Sequence, residues 1–163
     1  MRQCPSNSYL PLRRRNQRGF TLIESVIVVS MVAVFATLAG PRFGDFMIQQ
    51  GIRNAAFDLM SDLTFARSEA VKRNATVKIS NAGTWTAGWT IAAGATTLRQ
   101  HPALSPNVTL TLGSSSLDFN LNGRASTAAS FTIDDAGGRA TIVARCVSVD
   151  PSGRPQSTEG SCS

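Results

Sequence analysis

The longest apolar segment lies near the start of the chain. It runs from Phe20 to Gly40, 21 residues among which Glu24 is the only charged one. A helix of that length is about 31 Å long, close to the roughly 30 Å thickness of a bilayer's hydrocarbon core. An ordinary secretory signal peptide is the alternative, but its apolar core has only about 7–15 residues with a small-residue site beyond it. The pattern therefore predicts a transmembrane helix over residues 20–40.

Beyond this segment, apolar residues recur at alternating steps of four and three, which is typical of one stripe of a helix. The stripe consists of Ile52, Ala56, Leu59, Leu63, Ala66 and Ala70, and we expect Phe43, Phe46 and Met47 to extend it backwards. Pro41 and Gly44 are expected to kink or loosen the junction with the apolar segment, and Asn74 suits the helix end. Residues 41–75 are thus predicted to be the amphipathic half of one long helix of about 55 residues.

The composition changes after Asn74, where short runs rich in Thr, Val and Ile alternate with turn residues. Such runs predict β-strands, here at 76–80, 88–92, 97–100, 108–112, 117–121, 130–134 and 140–149. The firmest hairpin signals are Asn122-Gly123 and the segment 135–138, whereas the last 13 residues show no strand pattern. The expected fold class is α+β: a long N-terminal helix packed against an antiparallel, β-rich head at 76–163.

A Gly-Arg pair recurs at 123–124, 138–139 and 153–154, a step of 15 residues each time. Hairpins of equal length, with glycine at each tight turn, would produce this repeat. Because successive turns of a β-meander lie at opposite ends, Arg124 and Arg154 should share one end of the sheet.

The charge is distributed unevenly along the chain. The formal net charge is +6, and residues 1–19 contain five arginines and no acidic residue. Without those five, 11 of the 16 basic residues remain against 10 acidic ones, which leaves +1. The basic character therefore belongs to the segment 1–19, and arginines just before an apolar run favour the cytoplasmic side of a membrane.

The cysteines divide in the same way. Cys4 lies in the segment 1–19, whereas Cys146 and Cys162 form an even pair on the outer side of the predicted membrane helix, where disulfides persist. A bond between them would close a loop of about 16 residues and stabilise the fold by roughly 3 kcal/mol. With no CxxC spacing and with His101 as the single histidine, we expect no zinc site and no cofactor.

The sequence Arg18-Gly19-Phe20-Thr21-Leu22-Ile23-Glu24 is the most informative motif. It resembles the signature of type IV pilins and type II secretion pseudopilins. The resemblance implies that a prepilin peptidase removes residues 1–19 as a leader, cutting between Gly19 and Phe20, and methylates the new amine of Phe20. Glycine before the cut leaves the backbone accessible to the protease.

Glu24 places a carboxylate in a predicted membrane helix, at a cost of about 2.5–3.5 kcal/mol at the helix centre and less near an interface. It is either tolerated near the headgroups or paired with a positive N-terminal amine, which we expect to be that of a neighbouring subunit. Such a pair would fix the axial register of packed helices, which is the assembly role that the resemblance implies.

The resemblance extends to residues 63–80, to Gly88-Trp89 and to the segment CVSVDPSGRPQ, which look like the GspH/FimT branch of minor pilins and pseudopilins. The Cys146–Cys162 pair and the SGRP segment are more similar to FimT and FimU minor pilins. The implied localisation is a single pass of the bacterial inner membrane with the head in the periplasm, followed by assembly into a pilus or pseudopilus. The implied partners are the prepilin peptidase, the inner membrane and other pilins.

The expected function is that of a minor pilin, which helps to initiate or cap a type IV pilus. The alternatives are an H-type pseudopilin of a type II secretion system and a DNA-binding minor pilin. Some FimT-like proteins bind DNA through a G-R-x-R loop. Gly153 and Arg154 match this pattern and Gln156 replaces its second arginine, so Arg154, with Arg124 at the same end, is the candidate DNA contact.

An enzyme is not expected. Arg67 and Glu69 are only two residues apart on a helix, so they do not face each other and packing explains them better. The chain also lacks a GxSxG elbow.

Overall fold

The computed structural model describes residues 19–81 and 83–162, without the side chains of residues 38–42. Residues 1–18 of the predicted leader 1–19, Cys4 among them, therefore fall outside the described residues, as does any effect of the Pro41 side chain. The described residues belong to two units, which divide between Ala39 and Gly40.

One helix, α1, spans Leu22–Arg73. In the first unit its large apolar side chains are exposed, from 49% at Ile27 to 83% at Leu22. No helix within the described part of the chain is both long and apolar enough to cross a membrane.

In the second unit, α1 buries the predicted stripe. Ile52, Leu59, Leu63, Ala66 and Ala70 are each 0% exposed. Asn74 ends the helix with a left-handed backbone (φ 50°). The N–H of Asn74 donates to Val71 O and that of Ala75 to Ala70 O, the bonding pattern of a Schellman motif.

The backward extension of the stripe is wrong. Phe43, Phe46 and Met47 are 54–65% exposed. At 100° per residue, Phe46 lies about 120° around the helix from Ile52, and Phe57 lies about 140° from it. These two side chains therefore point away from the core, along the outer face of α1.

Eight strands follow α1: β1 (Val77–Asn81), β2 (Trp89–Ala93), β3 (Thr96–His101), β4 (Val108–Thr111), β5 (Ser116–Phe119), β6 (Ala129–Asp135), β7 (Arg145–Val149) and β8 (Pro155–Glu159). They form two antiparallel four-stranded sheets, with the orders β3-β2-β1-β5 and β4-β6-β7-β8. A short 3-10 helix, Trp85–Ala87, precedes β2. The α+β fold class and its antiparallel head are as predicted.

The predicted hairpin at Asn122-Gly123 is only half right. A tight turn forms, with the Asn120 N–H donating to Arg124 O and an isolated bridge between Phe119 and Ala125. The strands on either side do not pair, because β5 pairs with β1 in the first sheet and the chain then crosses to the second sheet as β6.

The last residues were expected to carry no strand, and this prediction is wrong. β8 pairs along its whole length with β7, from Pro155 opposite Val149 to Glu159 opposite Arg145. β8 is an edge strand whose residues are half-buried or exposed. Its side chains can therefore be polar, and its sequence lacks the apolar pattern from which strands are predicted.

The strand predicted at 140–149 begins only at Arg145. The preceding loop is fixed by side chains instead of a neighbouring strand. The Gln49 amide donates to Val143 O and accepts from Val143 N, both at 2.9 Å, and the Thr141 hydroxyl donates to Asp45. An amide on α1 thus takes the place of a strand partner.

The core is one cluster formed by the buried stripe of α1 and the inner faces of both sheets. Trp85 meets Phe131 edge to face, with ring centroids 5.0 Å apart.

A polar network inside this packing joins α1 to the β2–β3 hairpin. The buried carboxylate of Asp62 accepts hydrogen bonds from Trp89 Nε1 at 2.8 Å and from Arg99 at 2.7 Å, and the guanidinium of Arg99 lies 3.9 Å from the centroid of the Phe65 ring. Both donors satisfy a charge that would be costly to bury alone.

Candidate assembly and surface sites

The two residues on either side of the predicted cut, Gly19 and Phe20, precede α1, and Phe20 is 82% exposed. Among the described residues, nothing lies within 4 Å of where a Cβ on Gly19 would be. The cut and the methylation remain predictions.

Glu24 lies in the first turn of α1. Its N–H donates to the hydroxyl of Thr21 at 3.3 Å, and the Ser25 N–H donates to Thr21 O at 3.1 Å. Thr21 therefore acts as the N-cap, and Glu24 occupies the third helical position, the Thr-x-x-Glu spacing of a capping box. A carboxylate here is also favoured by the positive end of the helix dipole.

The N-cap role of Thr21 was missed in the sequence, although the spacing was visible. The helix dipole provides a local reason for a carboxylate at Glu24, alongside the predicted pairing with a neighbour's amine. A glutamine at this position would keep the spacing of a capping box but remove the charge that an ion pair requires.

The turns that contain Arg124 and Arg154 meet, as the Gly-Arg repeat predicted. A Cβ on Gly153 would lie 2.1 Å from Gly123 O, so the two turns are in backbone contact. Both glycines have positive φ, 71° and 78°. The side chains of Arg124 and Arg154 are exposed.

The C-terminal part of α1 joins this contact. Arg67 Nε donates to Gly123 O at 3.0 Å, and Val71 Cγ2 lies 2.9 Å from where a Gly123 Cβ would be. We call the meeting of α1, the turn 120–125 and the turn 150–154 the distal junction.

Asp150 lowers the positive charge of the distal junction. Its carboxylate accepts hydrogen bonds from the Ser152 hydroxyl and from the Arg154 N–H. These bonds, that from Ser152 above all, hold the pKa of Asp150 below its ordinary value. An anion therefore lies in the same turn as Arg154.

Arg67 and Glu69 face different partners, as expected. Arg67 binds the Gly123 carbonyl, whereas Glu69 accepts a hydrogen bond from Arg73 Nε at 2.6 Å and lies 3.5 Å from Lys72 Nζ. The bond from Arg73 lowers the pKa of Glu69 more than any other contact. This is a helix-end ion pair.

The predicted disulfide is present. Cys146 and Cys162 are joined with a Cα–Cα distance of 5.0 Å. The N–H of Cys162 also donates to the Thr132 hydroxyl on β6. The segment after β8 is thereby held to the second sheet.

Two protein families match parts of this chain. The type II transport protein GspH family matches residues 55–153. This match covers more than half of the chain, from the core of α1 to the turn before β8.

The chain belongs to the GspH family.

The prokaryotic N-terminal methylation motif matches residues 14–40. No curated protein sequence matches the chain.

Two solved structures are similar to this chain. A crystal structure of the type IV minor pilin FimU of Pseudomonas aeruginosa is 28% identical, covers 68% of this chain and 90% of its own, and has a TM-score of 0.60. The minor pseudopilin EpsH of the Vibrio cholerae type 2 secretion system is 14% identical, covers 66% of this chain and 95% of its own, and has a TM-score of 0.54. The second likeness concerns the fold alone.

Proposed function

We propose that this GspH-family protein is a minor pilin, a structural subunit that helps to initiate or cap assembly of a type IV pilus. The observation that carries the proposal is the 28% identity to the minor pilin FimU over 90% of that chain. The pseudopilin EpsH shares the fold at only 14% identity. An H-type pseudopilin of a type II secretion system is therefore the second choice within the same class. The two relatives are named as a minor pilin and a minor pseudopilin, and we propose no enzymatic activity.

The N-terminal region would supply the assembly element. In this proposal a prepilin peptidase removes the leader and methylates Phe20, and residues 20–40 hold the chain in the inner membrane with the head in the periplasm. The exposed apolar side chains of α1 would then pack against helices of other pilins. The matched methylation motif and the exposure of residues such as Leu22 and Phe35 support this step.

Deleting the gene separates a pilus role from a secretion role. A minor pilin predicts fewer surface pili, restored by the wild-type gene, and unchanged secretion through the type II system. Normal piliation with impaired secretion would assign the chain to a pseudopilus. Normal results in both assays would contradict filament function altogether.

DNA binding is a second candidate function. One observation supports it: the turns that contain Arg124 and Arg154 are in contact, and both arginines are exposed. Asp150 in the same turn and Gln156 in place of a second arginine reduce the positive charge. Affinity for DNA rises with each phosphate that a cation neutralises.

The test is a titration with duplex DNA at several salt concentrations. If Arg154 contacts a phosphate, Arg154→Ala should reduce the slope of log affinity against log salt by about one unit, and Gln156→Arg should strengthen binding. Arg53→Ala, another exposed arginine, is the matched control and should change neither. No binding at low salt would eliminate this candidate.

A further inference from the structure

The motif Gly88-Trp89, part of the family resemblance, meets the single histidine of the chain. The rings of Trp89 and His101 are stacked, with their centroids 4.0 Å apart and their planes 8° from parallel. Gly88 leaves room for this contact, because a Cβ at that position would collide with the backbone of His101 and Pro102. A larger residue at position 88 would therefore push the chain at Pro102 away from β2.

Both stacked rings are joined to α1. Trp89 Nε1 donates to the buried carboxylate of Asp62 at 2.8 Å, and His101 Nε2 lies 3.6 Å from Asp58 Oδ2. Asp58 and Asp62 are one turn apart on the helix, so each ring faces one of two successive carboxylates. The side chain of His101 is 18% exposed and that of Asp58 is 57% exposed. Water, and with it a proton, can therefore reach the imidazole.

The surroundings of the imidazole fit its charged form better than its neutral form. His101 Nδ1 lies 2.8 Å from Pro102 O, while Nε2 faces the Asp58 carboxylate. Both neighbours are acceptors. A neutral imidazole has one N–H and can donate to only one of them, whereas the protonated ring can donate to both. The face of Trp89 also attracts a cation that is stacked on it.

The other charged groups near the imidazole do not oppose this preference. Asp58 and Asp62 come from α1, and Asp62 is already bound by Arg99 of β3 at 2.7 Å. Arg53 is the nearest cation along α1, but it lies about 140° around the helix from Asp58. β2, the segment 102–107 and β4 contain no ionisable side chain. Asp58 is thus the one carboxylate that faces the imidazole without another cation bound to it, among the residues that the structure describes.

The segment 102–107 begins at this contact and connects β3 of the first sheet with β4 of the second. A cavity of about 250 Å³ separates it from α1. Gly51, Asn54, Ala55 and Asp58 line the cavity on the helix side, and His101, Ala103, Leu104, Ser105 and Val108 line it opposite. All residues of the segment are exposed except Leu104, which is half-buried. A firmer bond between His101 and Asp58 would draw the start of this segment toward α1.

We propose that His101 is a pH-sensitive latch, which on protonation binds Asp58 and holds the segment 102–107 against α1. Loss of the proton leaves one N–H for two acceptors and removes the charge, so the segment is released. Histidine is the side chain that ordinarily changes its charge between about pH 5 and 8. The latch therefore closes as the pH falls through that range and opens as it rises. It belongs to the second unit alone and operates whether or not the chain enters a filament.

Tryptophan fluorescence of the full chain in detergent micelles reports the proton, since a protonated imidazole quenches an indole stacked on it. Between pH 8 and pH 5 the emission of the wild type should fall in a single step, by up to about half because Trp89 is one of two tryptophans. His101→Gln keeps an N–H donor but cannot become charged, so the step should disappear.

The midpoint of the same step tests the bond to Asp58. Asp58→Asn keeps the stacked rings but removes the charge, and it should move the midpoint down by about 0.2–0.7 pH units, the range expected for an exposed ion pair. Asp45→Asn is the matched control. It is the same substitution on the same helix at a carboxylate that contacts Thr141, and it should leave the midpoint unchanged.

Hydrogen exchange tests whether the latch holds the segment 102–107. At pH 5.5 this segment should exchange about two- to fivefold more slowly in the wild type than in Asp58→Asn, and at pH 8 the two proteins should be alike. A comparison at equal pH cancels the intrinsic pH dependence of exchange. The loop 136–144, remote from His101 in the chain, should exchange equally in both proteins at both pH values.

Each measurement has a result that would overturn the proposal. A fluorescence step that is absent from the wild type, or that persists in His101→Gln, would show that protonation of this histidine is not the event. Equal midpoints for the wild type and Asp58→Asn would exclude the bond to α1. Equal exchange of the segment 102–107 at pH 5.5 would show that protonation does not hold it. The proposed function would stand in each of these cases, because piliation is measured separately.

Discussion

Adding a single methyl group at the distal junction should destabilise the head strongly. In Gly153→Ala the new Cβ would lie 2.1 Å from Gly123 O, where an ordinary contact is 3.4–4 Å. The obstacle is backbone, so one turn must move away from the other. Gly123 O also accepts the hydrogen bond from Arg67, and this bond would stretch or break as the turns part.

Gly138→Ala is the matched control. Gly138 also has a positive φ, 62° against 78° at Gly153, but a Cβ there would meet nothing within 4 Å. Both substitutions force alanine into the left-handed region, at about 1–2 kcal/mol. Both also restrict the unfolded chain in the same way, so that effect cancels in the comparison.

The difference between the two variants therefore measures the contact itself. Overpacking costs about 1–3 kcal/mol and the lost hydrogen bond about 0.5–1.5 kcal/mol. We expect Gly153→Ala to lower the free energy of unfolding by about 2–4 kcal/mol more than Gly138→Ala does. For a unit of this size each kcal/mol corresponds to about 4 °C in Tm.

Urea and thermal unfolding of a fragment containing residues 40–163 would provide the numbers. An unchanged dependence on urea would show that the unfolded states are comparable. Equal losses for the two alanine variants would refute the backbone contact between the two turns, and with it the shared position of Arg124 and Arg154.

Three further predictions concern the start of α1, the disulfide and the acid stability of the head. Glu24→Val and Glu24→Gln should both insert into membranes but enter filaments poorly, because both remove the charge; normal incorporation of the Gln variant would contradict the pairing of Glu24 with an amine. Reduction of Cys146–Cys162 should lower the free energy of unfolding by about 3 kcal/mol, and a variant with both cysteines changed to serine should be insensitive to reductant; no change on reduction would contradict the predicted contribution. The hydrogen bond from the Arg139 N–H, more than any other contact, lowers the pKa of Asp135 below the ordinary 3.8. The ionised carboxylate therefore stabilises the head above that pH. Its contribution is lost as the pH falls through the lower pKa of the folded state. Asp135→Asn should therefore be less stable near neutrality and flatten the acid limb of a stability–pH profile, and identical limbs would exclude the effect.

The parts of the fold that follow from local periodicity could be predicted. Ile52, Leu59 and Ala70 are buried because a helix repeats every 3.6 residues, and the sequence shows that period directly. Phe46 was misassigned because it is apolar but lies about 120° around the helix from Ile52, away from the core. Counting 100° per residue back from Ile52 would have shown that Phe46 lies outside the buried stripe.

The parts that depend on partners distant in sequence could not be predicted in this way. β8 has polar residues because it is an edge strand, although Asp150-Pro151-Ser152-Gly153 already carried the signature of a tight turn leading into it. The loop before Arg145 is held by Gln49, 94 residues from Val143 in sequence. No pattern within the loop records that contact.

The candidate sites divide in the same manner. The motif at Gly19–Glu24 is a local string, so its processing and assembly roles could be proposed from sequence, whereas the N-cap contact of Thr21 appears only in the structure. The distal junction could be identified only from the sequence and the structure together. The Gly-Arg repeat placed Arg124 and Arg154 at one end, and the structure added Arg67 and Val71.

The central claim is that the mature chain is a filament subunit, and the N-terminal residue of the chain in filaments tests it most directly. Pili sheared from cells would be purified, digested and analysed by mass spectrometry for peptides of this protein. The account predicts an N-terminal peptide that begins at Phe20 and carries one methyl group on its amine. A chain found in filaments with residues 1–19 still attached, or found only in membranes of cells with abundant pili, would contradict it.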